Sequence, residues 1–332
     1  MKNILVTGGT GYVGCVLVPQ LLANGYHVTV YDILFFGREG LPQHPNLSVV
    51  EGDIRDTASV SRAFRSIDTV LHLACISNDP SFELDESLSK TINYDCFEPM
   101  VIGARQAGVK RFVYCSSSSV YGVSDKPDVT EDHPLVPLTL YNKFKGMCEP
   151  LLFKHQAPGF TCVTVRPATI FGYSPRMRLD LSVNILTNLA VNSGKITVFG
   201  GAQLRPNLHI QDMADVYQLM IEAPEEKIAG QIFNVGYQNL SIARIAEIVR
   251  DVVEAEFPAR KPIAIETTST NDPRSYHINS DKIRRVLGYT PKRTVEDAVR
   301  DLCRAFKDGK LPDSLADDRY FNVRRMKVVK AA

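Results

Sequence analysis

The first 25 residues constrain the chain most. KNILVTG (2–8) is a short apolar run that opens straight into Thr7-Gly8-Gly9-Thr10-Gly11-Tyr12-Val13-Gly14. The segment YVGCVLVPQLLANG (12–25) then has helical spacing and closes on Gly25. A glycine-rich turn alone is only a tight turn. Between a strand and a helix it becomes an anion cradle. Gly8 lets the chain turn, Gly11 lets the backbone approach a pyrophosphate, and Gly14 lets the helix pack on the strand. The free N–H groups and the dipole at the helix start favour that charge.

The rest of the first half repeats the strand–helix rhythm. HVTVYD (27–32), LSVVEGD (47–53), DTVLHLA (68–74), KRFVYCSS (110–117) and FTCVTVRPATIFG (160–172) read as strands. TASVSRAFRSI (57–67), after a Thr cap, a long segment over 87–107 and another over 140–156 read as helices. Such spacing requires a parallel sheet covered on both faces. Beyond residue 172 the pattern is less regular, with strands at 196–200 and 232–236 and helices near 211–223, 241–256, 280–286 and 294–307. No low-complexity linker separates the halves.

Two further features carry chemistry. Asp32 ends the second strand, 18 residues after Gly14. A carboxylate there accepts from ribose hydroxyls and repels a 2′-phosphate, which favours NAD over NADP; Arg38, six residues on, is the counter-argument. Asp53 and Ile54, after the third strand, are placed for the adenine. Tyr141 and Lys145 stand at i and i+4 and share a helix face, whereas Lys143 has the wrong phase. A phenol is a poor base at pH 7, and lowering its pKa three units takes ~4 kcal/mol. A lysine ammonium and the positive nicotinamide can supply that.

Together these motifs resemble the extended short-chain dehydrogenases/reductases that act on nucleotide sugars. TGGTGYVG, GDIRD (52–56), HLA (72–74), Asn93, SSSSVYG (116–122), YxxxK and RPATIFG (166–172) occur in that family's order. RPNLHIQD (205–212), Asp272-Pro273-Arg274 and LGYTP (287–291) continue it through the second half. The resemblance implies an α/β protein: a Rossmann domain with a doubly wound parallel sheet over residues 1–172, and a smaller C-terminal α/β domain over 173–332. The chain is expected to return to the first domain around 205–240. NAD is the implied cofactor, contacted by Gly8, Gly11, Tyr12, Val13, Asp32, Asp53, Ile54, Leu73, Ala74, Tyr141 and Lys145. A nucleotide sugar is the implied substrate, with Arg205 and Arg274 holding its diphosphate as guanidinium forks. Tyr141 would take a proton from the sugar, usually at C4, while hydride leaves that carbon. A homodimer is implied as well, through helices 87–107 and 140–156, with Phe144, Leu151 and Leu152 either at that interface or in the subunit's own core.

The serine run narrows the reaction. Ser117, 24 residues before Tyr141, matches the family's catalytic Ser/Thr. The next two positions are Asp and Glu in the family's 4,6-dehydratases; here they are Ser118 and Ser119. The cysteine of the 3,5-epimerases belongs at Ser119, and Cys115 lies four residues earlier, where inert packing is its expected role. That leaves 4-epimerisation, with net oxidation or reduction at C4 as the alternative; a dehydratase or a non-catalytic NAD-binding sensor stands behind both. Ser118 and Thr169, the latter where relatives carry Asn, are further candidate substrate contacts. Ser77 and Asn78 sit in a loop after the fourth strand, open to either ligand contact or turn chemistry. Arg176, Arg178 and Asp180 are candidates for sugar recognition or for a salt-bridged lid.

Composition excludes other classes. With a net charge of +1 the chain has no electrostatic footprint for nucleic acid or an anionic membrane. No apolar run reaches the ~18 residues a spanning helix needs. Seven scattered cysteines show neither metal-ligand spacing nor disulfide arithmetic, and the expected location is the cytoplasm. The basic tail Arg324–Lys330 reads as a solvated or frayed terminus.

Overall fold

Ile4, Leu5 and Val6 are all fully buried, so the first strand has apolar neighbours on both faces. In the computed structural model, which describes residues 2–270 and 275–331, the strands are β1 (Asn3–Thr7), β2 (His27–Asp32), β3 (Leu47–Glu51), β4 (Thr69–His72), β5 (Arg111–Cys115), β6 (Thr161–Pro167), β7 (Thr169–Phe171), β8 (Lys195–Phe199), β9 (Leu204–His209), β10 (Gln231–Val235), β11 (Gln238–Ser241) and β12 (Ala264–Thr268). The helices are α1 (Gly14–Ala23), α2 (Thr57–Ala63), α3 (Asp79–Glu83), α4 (Glu86–Lys90), α5 (Phe97–Gln106), α6 (Leu140–Phe153) and α7 (Ser182–Ser193). They continue with α8 (Ile210–Glu222), α9 (Glu225–Ile228), α10 (Ile242–Glu256), α11 (Asp281–Leu287), α12 (Val295–Lys307) and α13 (Asn322–Ala331).

One sheet runs β10-β6-β5-β4-β1-β2-β3, and every neighbouring pair is parallel. Side-chain alternation separates its two cores. Ile4, Val6, Val28 and Val30 pack under α1 and α8, while Leu5, Tyr31, Phe112 and Tyr114 pack under α5 and α6. The strand order changes direction between β1 and β4, which opens a crevice at the carboxyl ends of the strands. The second half contributes a three-stranded sheet, β11-β9-β7, and a β12-β8 pair. Its own core joins α7, α10 and α12 to β8 through Leu186, Ile196, Ile245, Val249 and Val299. A smaller cluster of Tyr12, Met177, Leu179, Ile210, Leu302 and Tyr320 joins the glycine turn to the second half.

Four local expectations change. The helix expected over 87–107 is interrupted by a π turn at Thr91–Asp95. Helix α2 is capped by Asp56, whose carboxylate accepts from the Ser59 N–H, and not by a threonine. FTCVTVRPATIFG is two strands in two sheets: Pro167 has no N–H to extend the ladder, and β7 leaves to pair with β9. The basic tail is a docked helix, because Arg325 Nε donates to the Phe35 carbonyl at 2.9 Å and Met326 packs against the Ile76–Phe82–Phe144 cluster.

Candidate active site

A cavity of ≈ 690 Å³ lies in the crevice between the halves. Its floor is the β1–α1 turn. Gly8 has φ +72°, and a Cβ there would stand 2.7 Å from the Ala74 backbone. A Cβ at Gly14 would collide with the Gly9 carbonyl, so this glycine serves the turn's own packing more than the strand's. No side chain caps α1. The turn and helix start are therefore bare backbone facing the cavity, which suits a dinucleotide's diphosphate.

Asp32 fixes the edge of this floor. Its carboxylate accepts from Thr10 N–H at 3.0 Å and Leu34 N–H at 2.9 Å and still faces the cavity. Arg38 is exposed and outside the cavity wall. Gly11, Val13, Asp53, Ile54, Leu73 and Ala74 line the same half. The Asp53 side chain is already held by Arg55 at 2.5 Å. The Tyr12 phenol is turned away from solvent, donating to the Gly172 carbonyl at 2.5 Å and accepting from Asn184 at 3.0 Å. The residues present therefore fit NAD.

Ser117, Tyr141 and Lys145 meet on one wall. Thr139 caps α6 by accepting from the Asn142 N–H, and its hydroxyl donates to Asp79 at 2.6 Å, so the helix start carrying Tyr141 is tied to the facing loop. Lys145 is 3% exposed, and its ammonium donates to the Cys115 carbonyl at 2.6 Å; Lys143 is exposed. Burial pushes the Tyr141 phenol above its usual pKa, and the Lys145 charge opposes that only in part. Ser117 caps the short 3₁₀ turn Ser118–Tyr121. Its hydroxyl lies 2.7 Å from the Ser119 hydroxyl, which donates in turn to Asn142 of α6. Cys115 ends β5 at the cavity, with burial holding its thiol up and therefore protonated.

The remaining candidates divide. Ser77, Asn78, Thr169 and Arg205 line the cavity. Ser118 does not: it is 2% exposed and faces the interior, because the 3₁₀ turn presents Ser117 and Ser119 instead. Asn78 does turn chemistry at the cavity edge, with φ +77° and its side chain accepting from the Ser81 N–H. Arg178 pairs with Asp180 through two contacts, at 2.9 and 3.2 Å, and reaches Ser77. Among the described residues Arg176 has no such ion-paired carboxylate. Arg205 stacks over the Tyr276 ring at 5.2 Å. Phe144 and Leu152 are core residues of the subunit. Arg274 lies outside the described residues.

Sequence reasoning missed several wall residues. Phe199, Leu189, Ile242 and Tyr276 form an apolar stretch on the second half's side, brought together only by packing. Asn322 arrives from the C-terminal helix and donates to Ser77 at 3.0 Å. Ser119, seen first as a missing acid, is a bridge from Ser117 to α6. Nothing in local sequence distinguishes these residues from ordinary surface.

Comparison with known proteins agrees with this geometry. The profile of the NAD dependent epimerase/dehydratase family matches residues 4–236. A UDP-glucose 4-epimerase of Lactobacillus helveticus is 30% identical over 327 residues, covering 90% of this chain and 94% of its own. Among solved structures, a dTDP-glucose 4,6-dehydratase from Streptomyces venezuelae with NAD bound superposes with a TM-score of 0.82 at 26% identity, over 93% of this chain and 98% of that one. A UDP-glucose 4-epimerase of Thermotoga maritima, at 23% identity over 93% and 99% of the two chains, has the same fold with a TM-score of 0.82.

Proposed function

The chain belongs to the NAD dependent epimerase/dehydratase family, and from that premise we propose that it is a nucleotide-sugar 4-epimerase. The observation that carries this is the Ser117–Tyr141–Lys145 wall combined with serines at both positions where a dehydratase needs carboxylic acids. Relatives that bear the name UDP-glucose 4-epimerase across most of their length support it.

In this reading residues 1–172 hold the cofactor and residues 173–332 mainly hold the nucleotide sugar. NAD, held along Gly8–Val13, Asp32, Asp53, Ile54, Leu73 and Ala74, supplies a hydride acceptor that later returns the hydride. Ser117 positions the O4 oxygen of the sugar. Tyr141 takes the O4 proton as C4 is oxidised and returns it when C4 is reduced on its other face. Lys145 stabilises the phenolate that forms between these events, and the cofactor's positive ring completes what Lys145 alone does not achieve against burial. Arg205 holds the substrate diphosphate, and Arg178, locked by Asp180, orients the Ser77–Asn78 loop against the sugar. The seven free thiols fit a cytoplasmic protein, and among the described residues no helix is long and apolar enough to cross a membrane. A homodimer would use the outer faces of α5 and α6, where Ile102 is exposed and Leu151 half-buried.

The test is product analysis by mass spectrometry over UDP-, GDP-, CDP- and dTDP-hexoses in labelled water. The expected result is a C4 epimer with no net NADH and no solvent label on a ring carbon. Tyr141→Phe should lower kcat by about 10²–10⁴-fold. Lasting NADH would replace this reading with a dehydrogenase, and ring label would show deprotonation beside a ketone.

A further inference from the structure

Arg176 is a buried cation with no ion-paired carboxylate among the described residues; Asp180, whose charge favours it, is engaged by Arg178. Arg176 is 7% exposed, forms no ion pair with any described residue, and its Nε has no hydrogen-bond partner. Its polar support is neutral: Nη2 donates to Asn322 Oδ1 at 2.5 Å. Its guanidinium lies 3.5 Å from the centre of the Phe36 ring. Two residues along, Arg178 has the same burial but a bidentate carboxylate, so the difference is not one of depth. Burial and the Arg178 charge lower the hold of Arg176 on its proton to about 9. Leaving a desolvated charge without a carboxylate in contact with it is costly, so a folded chain that keeps one has a use for an anion there.

The neighbours say which anion. Arg176 lies against Cys15 of α1, whose sulfur receives its backbone N–H, and its electrostatic neighbours include Tyr12 of the glycine turn. Gly40, in the β2–β3 connection with Phe36, is bare opposite its backbone; a Cβ there would stand 3.5 Å from Arg176 N. These are segments of the dinucleotide half. The second half has its own cation, Arg205, stacked on Tyr276.

We propose that Arg176 is a ligand for the diphosphate of NAD, reaching over the β1–α1 turn from the second half, with Asn322 of the C-terminal helix as the residue that positions it. The uncapped start of α1 would then approach the anion from one side and the guanidinium from the other, so bound cofactor is clasped between the halves and the C-terminal helix. The proposal rests on the dinucleotide site alone. The epimerase reading stands or falls separately, on Tyr141 and Lys145.

The same diphosphate chemistry occurs in the sugar nucleotide, and the experiment separates the two. Purified holoenzyme and Arg176→Met are desalted and the NAD retained is quantified after denaturation. NAD rebinding, and UDP binding at saturating NAD, are then measured by calorimetry. Loss of a charge-assisted contact should weaken NAD about 10- to 100-fold and leave UDP affinity unchanged. Asn322→Ala should show a smaller loss with the same preference. Unchanged NAD affinity in Arg176→Met would sink the proposal. So would UDP weakening as much as NAD or more, which would return Arg176 to the substrate. Should Arg176→Met fail to fold, Arg176→Lys, which keeps the charge but loses the planar fork, must still weaken NAD more than UDP.

Discussion

His72 stands at the end of β4 with its ring among Phe97, Phe112 and Tyr114 and its Nδ1 2.7 Å from the Thr7 hydroxyl. Burial, then the Lys145 charge, hold its pKa at about 3. An unfolded histidine titrates near ~6.5. Between those values the unfolded chain binds a proton that the folded chain does not, so stability falls as pH is lowered through that window and is unaffected above it. The slope from this residue is at most about 1.4 kcal/mol per pH unit. Urea midpoints of the protein and of His72→Gln should therefore diverge as pH falls from about 6 to about 4, with the variant the flatter. Parallel curves would mean that His72 is protonated in the fold. The same buried Lys145 charge also acts on Tyr141.

Elements place these residues by their irregularities. The π turn at Thr91–Asp95 rotates Asn93 inward, where its side chain accepts from the Ile76 N–H at 2.8 Å and donates to the Ile76 carbonyl at 2.9 Å. That pair of bonds pins the loop carrying Cys75, Ser77 and Asn78 to the cavity wall. Asn93→Ala leaves two buried backbone groups unsatisfied at about 1–3 kcal/mol each, so it should cost about 2–6 kcal/mol of unfolding free energy. It should also raise KM through the loosened loop. A loss below about 1 kcal/mol would show that water replaces both bonds. Strands β5 and β6 are joined to α6 by a second buried connection: Arg166 on β6 pairs with Glu149 on α6 at 2.6 Å, and Ser116 donates to the same carboxylate. The serine run is thereby anchored at Ser116, bridged to α6 at Ser119, and left with Ser117 facing the cavity.

At the scale of the whole molecule, the cavity lies where the core under α1 and α8 and the core of α7, α10 and α12 close on one crevice, and the C-terminal helix closes it from a third side. Light scattering should give about twice the 36.9 kDa of one chain, and Ile102→Asp, on an exposed face, should reduce it to one. A monomer at micromolar concentration would remove the interface from the account.

Sequence alone determined the parallel sheet, the glycine turn, Asp32 at the end of β2 and the Tyr141–Lys145 pair. Each is a local pattern: a period of two, a helical i and i+4, or a residue that only a tight turn requires. CSSSSVYG (115–122) was half legible. The positions of Ser117 and Ser119 could be counted, but only the 3₁₀ turn showed that Ser118 faces inward and that Ser119 binds α6. Tertiary structure alone decided which of Arg176 and Arg178 pairs with Asp180, and that a tail resembling a frayed terminus docks as a helix against Phe35 and the Phe82–Phe144 cluster. Both depend on surroundings assembled from residues over a hundred positions apart, Asn322 beside Arg176 and Arg325 at Phe35. Whether a charge there is compensated is a property of the surroundings, which no local spacing encodes.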